Sequence, residues 1–249
     1  MTRNMKKSLV IIAVLVQVFL MAQNKRFIYE YKFIPDSKNV SDVKTEMMFL
    51  DTSKDGSKYY SYTVYHSDSL TKVDTEKQLK VSDSAYIDPA KQRGIVRYSV
   101  TKTYPDHKTN IHRTFGMYAY KISEDRKIHW KVTSEKEKIG EWSAQRAETD
   151  FAGRQWMAWF STDIPIQDGP YKFHSLPGLI VKIEDKSGSH KLELKGIKNI
   201  DEKINVSIVQ PKEIAINSKK FQKLVKDQGS RQNNQIKIND DQIELDILK

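Results

Sequence analysis

Among the side chains able to do chemistry in one stretch, GRQWMAWFSTDIPIQDGPYKFHSLPGLIVKIED, are Arg154, Ser161, Asp163, Asp168 and His174. Ser161, His174 and Asp168 are the residue types of a nucleophile–base–acid triad. Such a triad needs a direct contact between base and nucleophile, and nothing in this spacing requires one. Asp163, Asp168 and His174 could instead support metal-independent hydrolysis by general acid–base chemistry. This is the alternative reading of the segment, and no residue is assigned as catalytic. Arg154 has two roles open to it: a clamp on loop carbonyls or on Asp163 and Asp168, or a contact to an anionic ligand. A second acid pair, Glu148 and Asp150, shares one strand face, with Lys and Arg nearby to form ordinary surface ion pairs.

Other chemistries find less support. The six histidines, His66, His107, His112, His129, His174 and His190, include no pair at helical i, i+4 spacing. His107 and His112 flank the PDHKTNIH turn and are expected to face water. Two histidines without a third ligand do not make a metal site. With no cysteine in the chain there is no thiol nucleophile, thiolate metal site or disulfide. No nucleophile elbow, zinc-protease helix, phosphate loop or calcium loop is present. No cofactor is expected.

The same stretch is rich in aromatic and turn residues. Trp156, Ala158 and Phe160 alternate with Gln155, Met157 and Trp159, so bulky groups fall on both faces of one strand. Such a strand is buried on both sides or covered on one. Either the tryptophans are core and covered flank, or one of them lines an apolar pocket. Asp168-Gly169-Pro170 reads as one reversal and Pro177-Gly178 as another, with Pro177 presetting φ and Gly178 supplying the positive φ of a type II turn. Between them Ile164, Ile166, Tyr171, Phe173 and Leu176 are placed to plug one end of the core.

The elements that must position these residues are mostly strands. RFIYEYKFI puts Phe27, Tyr29, Tyr31 and Phe33 on one face at period two. Further strands are read at 43–51, 58–66, 94–104 and 110–122, in 127–161 with a turn at Ala152-Gly153, and in 178–200 with a hairpin tip at Ser187-Gly188. A last short strand is read at 205–214. Asp55-Gly56 signals a hairpin. Helices are read at 68–84, weakly, and at 217–230, with Asn217 or Ser218 as N-cap, Phe221, Leu224 and Val225 at helical spacing, and Gly229 as C-cap. The predicted fold is mainly β: a single antiparallel, curved meander sheet or half-barrel with one or two short helices. Residues 23–230 form one domain, and 231–249 are a polar tail or edge strand.

Residues 1–22 read as a secretory signal peptide, with Arg3, Lys6 and Lys7 before an apolar run and cleavage expected after Ala22. Removing 22 of 249 residues leaves 227, and removing three positive charges takes the net charge from +10 to +7. The lysines are scattered among acids and form no dense stripe. With export, this argues against nucleic acid and leaves a solvated basic surface or attraction to an anionic envelope surface.

The combination of Gly153-Arg154, Ala158-Trp159-Phe160, Ile164-Pro165-Ile166, Gly169-Pro170-Tyr171-Lys172-Phe173 and Leu176-Pro177-Gly178-Leu179-Ile180 resembles the GLPGLI family of Bacteroidetes proteins. The resemblance covers roughly Ile139 to Ile200. Ser175 stands where the name-giving hexapeptide has Gly, so either that position is not left-handed or Ser tolerates the strain. Ala144 stands where the family often has Cys. The resemblance implies a protein exported to the periplasm or outer envelope and carries no mechanism. The reading is a non-enzymatic binding or accessory module with an apolar-lined concave sheet. Its expected partner is a lipid, a peptide or another envelope protein, with peripheral membrane association possible. The residues singled out are Arg154, Trp156, Trp159, Asp163, Asp168, Gly169, Pro170, Phe173, His174, Pro177 and Gly178.

Overall fold

A computed structural model describes residues 24–36, 39–86, 94–202, 204 and 213–231. The signal-peptide reading, residues 205–212 of the last short strand and the tail from 232 onward lie outside these. The strands are β1 (Asn24–Phe33), β2 (Lys44–Ser53), β3 (Gly56–Ser61), β4 (Ser99–Thr103), β5 (Lys108–Phe115), β6 (Tyr118–Glu124), β7 (Lys131–Ile139), β8 (Trp142–Phe151), β9 (Arg154–Ser161), β10 (Leu179–Asp185), β11 (His190–Ile200) and β12 (Ile214–Asn217). Two helices, α1 (Tyr62–Leu79) and α2 (Ser218–Arg231), complete the elements among the described residues.

All twelve strands form one open sheet in the order β12-β6-β5-β4-β3-β2-β1-β11-β10-β9-β8-β7. Strands β1 to β6 form a meander on one side of the sheet. Strands β7 to β11 form a second meander on the other, and β1 pairs with β11 where the two meet. Pairing is antiparallel except for β12, which runs parallel to β6. The expectation of a mainly β fold with two short helices holds, and the sheet is mixed at that one edge.

The period-two pattern fixes which face is inside. Phe27, Tyr29, Tyr31 and Phe33 are all buried, with Met48 and Leu50 of β2 beside them. Curvature follows from contacts that no flat sheet could make. Strands β6 and β8 are nine strand spacings apart in the order, about 43 Å across a flat sheet. Yet Arg126, two residues past β6, places its guanidinium carbon 5.0 Å from the ring centre of Phe151, the last residue of β8. The sheet therefore curls until its two wings face each other, and the 162–178 segment between β9 and β10 fills the space inside.

Several local expectations need correction. The run Lys58–His66 is strand only to Ser61. The Ser61 hydroxyl accepts from the Val64 N–H at 3.1 Å and caps α1, so the apparent alternation beyond it belongs to a helix. Residues 110–122 are not one strand, because Gly116 at φ +60° turns the chain between β5 and β6. Gly229 does not end α2, which continues to Arg231. Asn217 is its N-cap, accepting from the Lys220 N–H at 2.9 Å.

The Pro177-Gly178 turn is also different. Gly178 N–H donates to the Leu176 carbonyl at 2.8 Å, closing a three-residue γ-turn around Pro177. Its φ of +159° is far from the +80° of a type II turn. Glycine is needed because a Cβ there would overlap the carbonyl oxygen of Ser161. Ser175 takes up the left-handed conformation at φ +71°, so the position that is Gly in the resembling hexapeptide is strained here.

Gly178→Ala is expected to destabilise the fold by more than about 2 kcal/mol, lowering Tm by at least ~5 °C. Gly188→Ala should cost only the backbone strain of about 1 kcal/mol, since nothing lies within 4 Å of a Cβ there. Equal Tm losses for the two variants in thermal melts would contradict the close-approach argument.

Candidate functional site

The inward face of β4 carries a lysine where the alternation of Tyr98, Val100 and Tyr104 calls for an apolar residue. Lys102 is wholly buried, and its ammonium lies 2.6 Å from Oδ1 of the equally buried Asp168. It also donates to the carbonyl oxygens of Gly169 (2.6 Å), Tyr171 (3.0 Å) and Phe173 (3.3 Å). The other carboxylate oxygen of Asp168 accepts from the Tyr104 hydroxyl. Oδ1 also accepts from the Gly169 N–H at 2.7 Å. Burial pushes the Lys102 ammonium below its ordinary pKa, while the Asp168 charge opposes that shift. The motif segment thus presents a ring of carbonyls and one carboxylate to a single cation on the opposite wing of the sheet.

A second buried cation extends the grip. Lys172 donates to Glu124 at 2.7 Å, and Arg126 binds the same carboxylate. Burial alone would raise the Glu124 pKa. The bonds and charges of Arg126 and Lys172 outweigh it and hold the group at about 2. Phe173 packs against Trp156 at 4.8 Å and Phe151 at 6.0 Å between ring centres. Trp130 donates its indole N–H to the His174 carbonyl at 2.8 Å. The expected core plug is therefore present.

Arg154 is a buried clamp, but on a partner other than those expected. It sits 2.8 Å from Oδ2 of Asp185, not near Asp163 or Asp168. Arg154 opens β9 and Asp185 closes the adjacent β10, so the two meet at the same end of the sheet. Asp185 also accepts from the Ser187 hydroxyl and from the His190 N–H (2.8 Å), fixing the β10–β11 hairpin. Trp156 is core and donates to the Phe151 carbonyl at 3.1 Å. It also borders a polar cavity of about 400 Å³ with Glu148 and Asp150. Trp159, buried on the other face, is flanked across the ladders by Arg146 and Lys182. Gly169 packs against Ile180, Pro170 is buried beside it, and Pro177 is exposed.

The hydrolytic residues are only partly brought together: an isolated antiparallel bridge sets Asp168 opposite His174, but their side chains are bonded elsewhere and Asp163 stands apart. Asp168 is sealed by Lys102, Tyr104 and Gly169. Asp163 accepts only a long bond from the Ser143 N–H, at 3.3 Å. The His174 ring stacks on His107 at 4.7 Å and bonds through Nδ1 to Ser175 at 2.6 Å. Ser161 instead donates to the Ser143 carbonyl at 2.7 Å. Burial, then the charges of Lys102 and His107, pushes the His174 pKa down to about 4.

His112 is not a solvent-facing histidine. Its Nε2 lies 2.9 Å from the Thr101 hydroxyl and its Nδ1 3.0 Å from Glu213. The order hydroxyl–imidazole–carboxylate is that of a nucleophilic triad, but Thr101 is buried and does not line the adjacent cavity. The chain of bonds ties β4, β5 and the residue before β12 together.

One cavity combines apolar walls with charge at its edge. It holds about 450 Å³ at the end of the sheet that carries the β2–β3 turn. Phe27, Trp142, Ile164, Pro165, Ile166 and Ile197 wall it, and Lys25, Lys54, Asp163 and Tyr104 supply polar groups. Only Asp163, among the three residues of the hydrolytic reading, lines it. Sequence reading missed Lys102 and Trp142. The first carried a signal, a lysine at an inward position of an alternating strand. The second did not, because Trp142 reaches the cavity only once the sheet has curled.

A family model described as "Protein of unknown function (Porph_ging)" matches residues 148–182, which include the plug and the strands on either side. No match is found among curated proteins. Among solved structures the chain is similar to PNGF-II in its C2 crystal form, at a TM-score of 0.56 and 16% identity, with 82% of this chain and 33% of that chain covered. The P21 form of PNGF-II gives a TM-score of 0.57 at 14% identity over the same shares. The chain thus spans about a third of the PNGF-II chain, and at this identity the likeness concerns the fold.

Lys102→Met should cost about 3–5 kcal/mol, because it strands a buried carboxylate. Adding Asp168→Asn should restore only part of this, since three carbonyls still lack their donor. Full recovery in a double-mutant cycle would mean that the carbonyl contacts contribute nothing.

The depressed His174 sets a pH dependence. The unfolded imidazole, at its ordinary 6.5, takes a proton that the folded one refuses until about pH 4. Stability is then fully present above about pH 6.5 and declines as pH falls towards 4. Urea midpoints across that window should show the decline, and His174→Gln should flatten it.

Proposed function

We propose that this chain is an exported envelope protein of the GLPGLI type that binds, rather than transforms, a slender amphiphile with an anionic head. The binding site is the 450 Å³ cavity at the end of the curled sheet. Its volume falls within the range of roughly 300–1,000 Å³ common for small-molecule sites. The observation that carries the reading is its lining: six apolar residues, with Lys25 and Lys54 also bordering the cavity. An apolar body gains by leaving water against Phe27, Trp142 and the three isoleucines, while a carboxylate or similar head meets the lysines.

Export is supported by the signal-peptide pattern of residues 1–22. The family reading rests on the quoted motif residues between Gly153 and Ile180. Among the described residues no helix is long and apolar enough to cross a membrane. A binding role is further supported by the fate of Asp168, whose carboxylate is used in holding the plug.

The test is displacement of a fluorescent fatty acid from the purified mature protein, followed through Trp142. Saturable binding of dodecanoate, little binding of dodecylammonium, and a loss of about tenfold or more in affinity for Lys25→Glu/Lys54→Glu are expected. Ile197→Trp, which fills the cavity, should abolish binding with Tm retained. Equal affinity for the two head groups, or no saturable binding, would overturn the proposal.

A further inference from the structure

The opposite end of the sheet carries a surface unrelated to that cavity. Strand β12 runs parallel to β6, from Ile214 beside Tyr120 to Asn217 beside Ser123. There Ser218 donates its hydroxyl to the Ser123 carbonyl at 2.8 Å, and α2 begins. The helix turns back over β6: Phe221 packs on Tyr120 at 5.5 Å and on Phe115 at 5.7 Å between ring centres. It therefore runs from Ser123 towards the Gly116–Met117 turn that joins β5 to β6.

Phe221 and Val225 point down into the core. At about 100° per residue, Lys219, Lys220, Lys223 and Lys226 then fall in an arc of roughly 120° on the opposite side. All four are exposed, and Asp227 is the one acid among them. Next to this row the hairpin tip presents Met117, 91% exposed, and Tyr118, 56% exposed. Among the described residues nothing packs within 4 Å of where a Cβ on Gly116 would stand. A row of cations beside a protruding apolar and an amphipathic side chain suits a lipid bilayer: the lysines face anionic head groups while Met117 and the Tyr118 ring enter the interface.

We propose that α2 and the β5–β6 turn form a docking face for an anionic lipid surface, independent of the cavity site. A nucleic acid or acidic protein would use the lysines but leave the tip unengaged. The bilayer alone uses both halves of the face.

The test is co-sedimentation of the full mature chain with phosphatidylcholine vesicles, with and without about one third phosphatidylglycerol. Binding to the anionic vesicles only, weakened by high salt, is expected. Lys219→Gln/Lys223→Gln should weaken it by about 25-fold, at roughly fivefold per charge removed. Met117→Ser/Tyr118→Ser should weaken it by several-fold while leaving the salt dependence in place. Both variants alter exposed side chains and should keep the parent Tm. Absence of vesicle binding overturns the proposal, as does an unchanged affinity in the tip variant, which would reassign the face to a soluble polyanion. A loss caused equally by Lys25→Glu/Lys54→Glu would reassign vesicle binding to the cavity.

Discussion

Everything in this fold that depends on curvature passes through the Lys102 ammonium. A lysine on the inward face of β4 is wholly buried, and leaving it there unpaired would cost several kcal/mol. Asp168 and three backbone carbonyls meet that demand, and all four come from one loop on the far wing of the sheet. The requirement is mutual. The 162–178 segment is largely irregular, and the carbonyls of Gly169, Tyr171 and Phe173 find their donor in Lys102. Neither element can be satisfied without the other, and satisfying both draws β4 and the β9–β10 connection together.

Curling follows as a consequence rather than a separate design. Once the plug is held by Lys102, Lys172 reaches Glu124 and Phe173 reaches Phe151 from adjacent residues of the same chain. Arg126 bridges the remaining gap over the Phe151 ring. The plug occupies the middle of the curl, so the space left is at its ends. The cavity near Lys25 and Trp142 is such a remainder. The plug contributes Ile164, Pro165 and Ile166 to one wall, and the sheet contributes the others.

What could be read in the sequence was whatever is local. The alternation of Phe27, Tyr29, Tyr31 and Phe33 specified both a strand and its buried face, because period two is a property of the backbone itself. Ala152-Gly153 and Ser187-Gly188 were legible as turns for the same reason. The Lys58–His66 error shows where this fails: a run of aromatic and β-branched residues alternates equally well until a capping serine intervenes. The plug was legible as a plug, since Pro170, Pro177 and their glycines limit the chain to a few paths. Its partners were not. Arg154 was expected to hold Asp163 or Asp168 because they are near in sequence, yet Asp185 is nearer in the sheet. Asp168 takes a cation 66 positions away. Ion pairing obeys distance in space, which only topology supplies.

The motif and the proposed ligand site therefore obey different constraints. Tyr171, Lys172, Phe173 and Asp168 are specified by contacts on every side, so substitution there changes the fold before it changes any activity. Lys25, Lys54 and Ile197 line the open volume of the cavity. A chain could keep the whole grip of Lys102 on its carbonyl ring and still alter the charge and width of the cavity through those few positions. This is the physical sense in which a strongly patterned segment can mark a fold while leaving its ligand undetermined. The charged residues at the edge of that cavity, Lys25 and Lys54, lie outside the pattern, while Ile164, Pro165 and Ile166 of its wall lie within it.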